Sequence, residues 1–220
     1  FLFVGNFELG SIRPLVEKWL GGLPSNSREE SWRDTGVRPP EGIIQKVIRK
    51  GIEPKSLTQL IYTGPFEWNS RNRLVIESLA SVLRIRLREV LREDMGGVYG
   101  VSVSASTEEY PAGMYRFSIG FGSSPERAEE LVAGVSAQID TLQAHGPGED
   151  YLAKVKEMQL RTRETSLKEN RFWLGALQSY YFHNENPLEI LDYERMVRSL
   201  SPEDIHQAAG KYLHNKNFFR

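Results

Sequence analysis

Two side chains suited to binding a carbonyl oxygen flank a glycine turn near the middle of the chain. Arg92 lies at the predicted end of a helix, the pair Gly96-Gly97 turns the backbone, and Tyr99 begins the following strand. A guanidinium and a phenol both donate hydrogen bonds, and such donors stabilise a carbonyl oxygen that gains negative charge during a reaction. Because only six residues separate them, we predict that the two groups converge on one point across the turn.

A purely structural role is the alternative for both residues. Tyr99 shares its strand face with Val101 and Val103, so its ring would also fit a hydrophobic core. Arg92 closes a helix that is already rich in arginine and interrupted by Glu89, which is the ordinary composition of a solvated helix face. The residues themselves leave both interpretations open.

Metal and thiol chemistry have little support in this chain. Histidines that bind one zinc ion from one helix stand three or four residues apart. The four histidines are separated by 38, 23 and 8 residues: His145, His183, His206 and His214. The chain contains no cysteine, which excludes a thiol nucleophile, a disulfide framework and a cysteine-bound metal. We therefore expect no metal and no cofactor bound by this chain itself.

Phosphate and serine chemistry are also disfavoured. Gly120-Phe121-Gly122 lies between a strand and a helix, as a dinucleotide-binding turn would, but Pro125 occupies the third small position. The sequence holds neither a Gly-x-x-x-x-Gly-Lys loop nor a Gly-x-Ser-x-Gly elbow. A tight strand-to-helix turn is the simpler interpretation of the glycine pair.

The charge balance argues against nucleic acid or an anionic membrane as a partner. The 28 basic and 29 acidic residues give a net charge of -1, whereas such binding depends on unbalanced positive charge. No apolar run approaches the ~20 residues that span a bilayer, so membrane insertion is not expected. The chain opens on the strand-like run Phe1–Gly5 and closes on the apolar run Asn217–Phe219. Both runs predict that the chain is a piece of a longer polypeptide.

The periodicity of apolar residues predicts an α+β domain over residues 1–220, with helices covering one face of a mainly antiparallel sheet. A first helix ends at Gly21-Gly22, and a long helix begins at Asn69 or Ser70 and runs to about Arg92 or Glu93. Strands are predicted at Ile43–Arg49, Leu57–Thr63, Tyr99–Ala105 and Tyr115–Phe121, the last two forming an antiparallel hairpin. Helices follow from Pro125, Glu149, Phe172, Pro187 and Ser201.

The turn segment resembles the insulinase/pitrilysin family of zinc peptidases, in one of their zinc-free homologous domains. The family pattern is Leu-Arg-Glu-x-x-Gly-x-x-Tyr, and its matches here are Leu91, Arg92, Glu93, Gly96 and Tyr99. The resemblance extends over nearly the whole chain, through Phe3–Phe7 with Pro14–Leu20 and through Ser201–Ile205. The run Gly96–Val101 is most similar to long, four-domain bacterial members.

This resemblance implies an accessory role in proteolysis. In the family, zinc is bound by a His-x-x-Glu-His helix and a distant glutamate in another domain, and this chain has neither. The resemblance therefore implies that the zinc-bearing homologous domain is the partner, that peptide or unfolded polypeptide is the substrate, and that this chain alone is inactive. Arg92 and Tyr99 would contact the substrate's carbonyl oxygens and the oxyanion formed from them. Long bacterial relatives suggest the periplasm; the residues leave the compartment open.

Two further interpretations remain. The same fold serves in this family as non-catalytic subunits that bind or present polypeptide, so a scaffold domain is the first alternative. A generic α+β binding module, with Arg92 and Tyr99 in structural roles, is the second. A His-x-x-Glu-His motif elsewhere in the parent polypeptide would favour the peptidase, and a parent without it would favour the scaffold.

Overall fold

The computed structural model describes residues 1–28, 30–96, 98 and 100–220 and contains one mixed sheet with a layer of helices. The strands are β1 (Gly42–Ile44), β2 (Ser56–Pro65), β3 (Gly100–Glu108), β4 (Met114–Ser123) and β5 (Asn217–Phe219). The helices are α1 (Leu9–Trp19), α2 (Ser70–Leu87), α3 (Ala128–His145), α4 (Glu149–Ser166), α5 (Asn170–Phe182), α6 (Tyr193–Arg198) and α7 (Pro202–Tyr212). This is the predicted α+β class.

The strands lie in the order β1-β5-β2-β4-β3. The long central pairs β2–β4 and β4–β3 are antiparallel, with Val103 opposite Ile119, so the predicted hairpin is confirmed. Short β5 pairs antiparallel with β2 and parallel with β1. Because β1 and β5 have three residues each, the parallel pair adds little to a sheet that is antiparallel in the main.

α2 and α7 lie against one face of the sheet, and α3 and α4 pack against these two helices. The stripe Ile76, Leu79 and Leu83 of α2 is fully buried in the core cluster that also contains Phe117 and Ile119 of the sheet. This confirms the layer that the helical periodicity predicts, since a stripe repeating every three or four residues must be covered by another element. None of the helices in the described part of the chain has the length and apolar character needed to cross a membrane.

The long helix begins and continues as expected, but its last turn changes geometry. The Asn69 side chain accepts a hydrogen bond from the Asn72 N–H at 2.7 Å and so caps α2. From Arg88 to Asp94 the backbone forms a π-helix instead of an α-helix. Such wider turns are rare and occur often at functional sites.

Two strand predictions near the start of the chain are wrong. Residues 1–5 form no strand, and Phe1 is 88% exposed. The predicted strand Ile43–Arg49 is limited to Gly42–Ile44, and Val47 and Ile48 are exposed. An apolar run becomes a strand only where a neighbouring strand accepts its backbone hydrogen bonds. For β1 that neighbour is the short β5, and the pairing stops once the Lys46 N–H has bonded to the Arg220 carbonyl.

The other face of the sheet is largely open and carries small polar side chains. Along β3 the exposed positions alternate with buried or half-buried ones, and they are Gly100, Ser102, Ser104, Ser106 and Glu108. Residues 32–40, called here the strap, cross this open face. The strap has the Trp32 ring 5.4 Å from the Tyr110 ring near the β3–β4 turn, and it leads into β1 on the opposite side of the sheet.

Candidate functional site

Arg92 projects from the π-helical turn that follows α2. The preceding residue, Leu91, is 0% exposed and belongs to the core cluster, whereas Arg92 is exposed. Because neighbouring residues in a helix point in different directions, burying Leu91 turns Arg92 to the surface. The Met95 N–H donates to the Val90 carbonyl at 2.9 Å, which closes the wide turn.

The turn is anchored against α3 by close packing around Gly134. A side chain on Gly134 would come within 3.0 Å of Leu91 Cδ2 and 3.2 Å of Met95 Sδ, so the absence of a β-carbon there lets the turn approach. The Met95 carbonyl accepts a hydrogen bond from Arg127 Nη1 at 3.1 Å. Arg127 is itself paired with Glu130 at 2.9 Å. These contacts fix the backbone on both sides of Arg92 relative to α3.

A second anchor joins the same turn to α4. The Tyr151 hydroxyl donates to Glu89 Oε2 at 2.5 Å, and the Arg86 guanidinium lies 5.4 Å from the centre of the Tyr151 ring. On the far side of the glycine turn, Val98 is half-buried against the core, and Gly96 has a positive φ of 58°. Such a φ favours glycine, because a β-carbon is strained in this region.

Tyr99, the second predicted site residue, lies outside the described residues, as does Gly97 of the predicted turn. β3 begins at Gly100, which is opposite Gly122. The structure thus brings Arg92 to an exposed, anchored position, and the convergence of Arg92 with Tyr99 stays a prediction. Arg92 makes no ion pair with a carboxylate whose side chain the structure describes, a set that does not include the neighbouring Glu93 and Asp94.

The histidines do not fit a zinc site. Within the described residues no group of three or more His, Cys, Asp or Glu side chains could hold a metal ion. His183 Nδ1 lies 2.6 Å from Glu109 Oε2 and its ring lies against Trp68, 4.2 Å between centroids. His206 Nε2 lies 2.9 Å from the Gln143 carbonyl oxygen. These contacts hold the end of α5 and the middle of α7 against neighbouring elements.

A cavity on the open face of the sheet has no counterpart among the sequence predictions. A cavity of about 600 Å³ lies between the strap and the open face of the sheet. The polar composition of Pro24–Gly42 predicts an irregular connection after the first helix, and no pattern in it predicts that the segment crosses the sheet. The signal that could have indicated it is the run Val37-Arg38-Pro39-Pro40, which brings a valine and two prolines that favour extended backbone into an otherwise polar loop.

Comparison with known proteins shows that the chain is similar to one part of larger zinc proteases. The chain is 24% identical over 224 residues to the probable zinc protease PqqL of Haemophilus influenzae, covering all of this chain and 23% of that protein. Its fold matches the periplasmic protease PqqL of Escherichia coli with a TM-score of 0.79 at 18% identity, over 98% of this chain and 24% of that one. The chain thus spans about a quarter of the length of these relatives.

A third comparison concerns a protease solved with a protein partner. The ferredoxin protease FusC, in complex with Arabidopsis ferredoxin, matches with a TM-score of 0.75 at 18% identity, over 98% of this chain and 23% of that one. The sequence pattern of the peptidase M16 inactive domain matches residues 1–159, which is more than half of the chain. The chain therefore belongs to the family of peptidase M16 inactive domains, the zinc-free insulinase-type domains that its turn segment resembles.

Proposed function

We propose that this chain is the zinc-free domain of a longer zinc endopeptidase and that Arg92 and Tyr99 bind carbonyl oxygens of the polypeptide being cleaved. The observation that carries the proposal is the position of Arg92. Its guanidinium is exposed on a turn whose backbone is anchored to α3 and α4, in a chain that belongs to a family of inactive peptidase domains. A donor held in this way needs little rearrangement when it meets a ligand.

In this proposal the chemistry of the chain is binding and charge stabilisation. Arg92 donates charge-assisted hydrogen bonds to a peptide carbonyl oxygen, and the Tyr99 hydroxyl donates one more. Both bonds strengthen as the oxygen gains negative charge, so they stabilise the transition state more than the ground state. Zinc is bound by another domain of the longer protein. The domain formed by the present chain provides the opposite wall of the chamber that encloses the substrate.

The comparisons support the parts of this proposal in different ways. The relatives are about four times as long as this chain, which leaves ample length for a zinc-bearing domain elsewhere in the protein. A fold neighbour solved in complex with ferredoxin supports a polypeptide as the substrate class. The Escherichia coli relative is periplasmic, and we propose the same compartment for the parent of this chain.

The test is Tyr99→Phe in the full-length protein that contains this chain. We expect kcat/KM for peptide cleavage to fall by about one to three orders of magnitude, the loss of one oxyanion donor, with the unfolding midpoint unchanged. Tyr181→Phe is the matched control, because Tyr181 is 60% exposed on α5. A loss of stability with normal turnover per folded molecule would make Tyr99 a core residue and remove it from the site.

Arg92→Gln tests the other half of the site, with Arg171→Gln as its control. Both arginines are exposed, so neither change should alter folding. We expect only Arg92→Gln to lower kcat/KM, by about tenfold or more, because a charged donor is lost. Equal activity in the two variants would contradict the proposed contact. A full-length protein that binds polypeptide but cleaves none would contradict the peptidase assignment itself and favour the scaffold role.

A further inference from the structure

The cavity under the strap lies far from Arg92 and has the features of a separate binding site. It is lined by the second half of β3, the start of β4 and the middle of β2, together with the strap. β3 has nine residues and rises about 3.3 Å per residue, so its two ends are roughly 26 Å apart. We propose that this cavity binds short apolar peptides with both termini free, the carboxylate on Arg116 and the ammonium on Glu108.

The walls of the cavity are apolar and its size suits a small ligand. The apolar lining comes from both the strap and the sheet: Val37, Pro39, Pro40, Ile61, Met114 and Phe219. A volume of about 600 Å³ falls within the ~300–1,000 Å³ of ordinary ligand pockets, which combine mostly apolar walls with a few polar groups. Burying apolar side chains of a peptide there would supply most of the binding free energy.

The floor of the cavity contains a hydroxyl without a partner. Thr63 is 4% exposed on the open-face side of β2, and its Oγ1 has no hydrogen-bond partner among the described residues. Such buried polar atoms are uncommon, because leaving one unpaired costs free energy. Because this Oγ1 is itself closed to solvent, the hydroxyl marks the polar floor of the cavity and is not one of the groups that contact the ligand.

The charges around the cavity decide which peptide fits. Arg38 is committed to Asp34, with hydrogen bonds of 2.9 and 2.5 Å, and this pairing lowers the pKa of Asp34 to about 2. Arg116 donates through Nε to Ser118 Oγ at 3.3 Å and pairs with no described carboxylate. Glu108 makes no hydrogen bond or ion pair with any described side chain. One guanidinium and one carboxylate are thus free to bind a ligand.

The register of the hairpin places these two free charges at a useful separation. Arg116 is opposite Ser106, and Glu108 is opposite Met114, so the two charged residues are diagonal neighbours on one face, about 7–8 Å apart with their β-carbons somewhat closer. A purely anionic ligand would be repelled by Glu108, and a purely cationic one by Arg116. A short zwitterionic peptide satisfies both, and its side chains enter the apolar cavity.

This inference goes beyond the proposed function and depends on it only for the origin of the ligand. An endopeptidase releases short peptides with free termini, which is the ligand class described here. Binding at the cavity requires neither Arg92 nor Tyr99 and involves no turnover. Failure of the peptide-binding test therefore leaves the proposed peptidase role intact, and the reverse also holds.

Calorimetric titration of the chain with trileucine, trileucine amide and N-acetyl-trileucine tests the proposal. We expect trileucine to bind one-to-one with a Kd below ~1 mM. Amidation removes the carboxylate and acetylation removes the ammonium, and each should weaken binding about tenfold, the loss of one charge-assisted contact. Absence of one-to-one binding at millimolar peptide would overturn the proposal.

Titrations of two variants test whether Arg116 binds the peptide carboxylate and Glu108 binds the peptide ammonium. In Arg116→Gln, trileucine should bind about tenfold more weakly and amidation should cost nothing further. In Glu108→Gln, acetylation should likewise cost nothing further. Arg171→Gln and Glu169→Gln change equally exposed charges elsewhere and should bind all three peptides as the parent chain does. An amidation penalty that persists in Arg116→Gln would show that another group binds the carboxylate and would refute the assignment.

Discussion

Two amphipathic helices of eleven residues differ in what their apolar faces contact. α7 buries Ile205, Ala208, Ala209 and Tyr212 against the core, whereas α1 has no buried residue. The same contrast separates the two parts of the chain. None of the described residues 1–55 is buried, and the whole core comes from residue 58 onward. An apolar stripe thus makes a helix amphipathic, but burial also requires a complementary surface within the folded unit.

Local signals at the helix starts reinforce this difference. α7 begins with a capping box, in which the Ser201 hydroxyl accepts from the Asp204 N–H and Asp204 accepts from the Ser201 N–H at 2.7 Å. Pro202 follows at the first helical position, where a missing N–H does no harm. α1 has no side-chain cap and contains Pro14. The helix that is packed into the core also has the stronger local start.

The largest effect expected is the difference between two aliphatic truncations. Ile205→Ala, at a position 0% exposed in α7, should lower the free energy of unfolding by about 2–5 kcal/mol, because it leaves a cavity. Leu15→Ala, at a position 56% exposed in α1, should change it by less than ~0.5 kcal/mol. Urea titration measures both. Comparable losses would mean that α1 packs against the core in solution.

These contrasts also explain which parts of the structure the sequence predicts. The alternation of Tyr115, Phe117 and Ile119 specifies a half-buried strand, and the stripe of α2 specifies the helix over it, because each pattern is covered by residues of the same unit. Phe1–Gly5 carries an equally apolar pattern, yet no neighbouring strand in the described residues pairs with it. A local pattern of apolar residues therefore predicts a strand or helix correctly only where other residues of the folded unit pair with it or cover it.

The candidate site shows the same limit. Arg92 and its exposure follow from the helix pattern, but the π-helical turn depends on packing around Gly134, which lies 42 positions further along the chain. The cavity depends on the path of the strap across the sheet, and no local pattern encodes that path. Features that depend on contacts between distant parts of the chain, such as this turn and this cavity, cannot be predicted from local sequence patterns.

The buried tyrosine Tyr115 of the core should make the free energy of unfolding fall at high pH. Burial raises the pKa of Tyr115 to about 12, and its hydroxyl donates to the Tyr212 carbonyl at 3.0 Å. The unfolded chain releases this proton near pH 10, so stability is complete below pH 10 and is lost as pH rises towards 12. In this window Tyr115→Phe should reduce the slope of unfolding free energy against pH by about 1.4 kcal/mol per unit. An unchanged slope would show that Tyr115 ionises alike in both states.

A smaller change tests the anchoring of the Arg92 turn. Gly134→Leu places a side chain where Leu91 and Met95 already lie within about 3 Å of a new β-carbon. We expect a loss of about 1–3 kcal/mol from overpacking, together with displacement of the turn and lower kcat/KM in the full-length protein. Gly175→Leu is the control, since a β-carbon on Gly175 of α5 meets nothing within 4 Å. Equal effects at the two positions would contradict the anchoring.

The smallest effect separates two aspartates that have similar partners in the two parts of the chain. Hydrogen bonds from Ser201 and Arg71 outweigh the effect of burial and lower the pKa of Asp204, whereas Asp34 pairs with Arg38 on the exposed strap. Asp204→Asn should cost about 1 kcal/mol through the weakened capping box, and Asp34→Asn should leave the urea midpoint unchanged. Because the folded pKa of Asp204 is lowered, its contribution to stability should be complete above the unfolded pKa near 3.9. It should be lost as pH falls from that value through the lower pKa of the folded state. A midpoint shift in Asp34→Asn equal to that in Asp204→Asn would show that the strap folds cooperatively with the core.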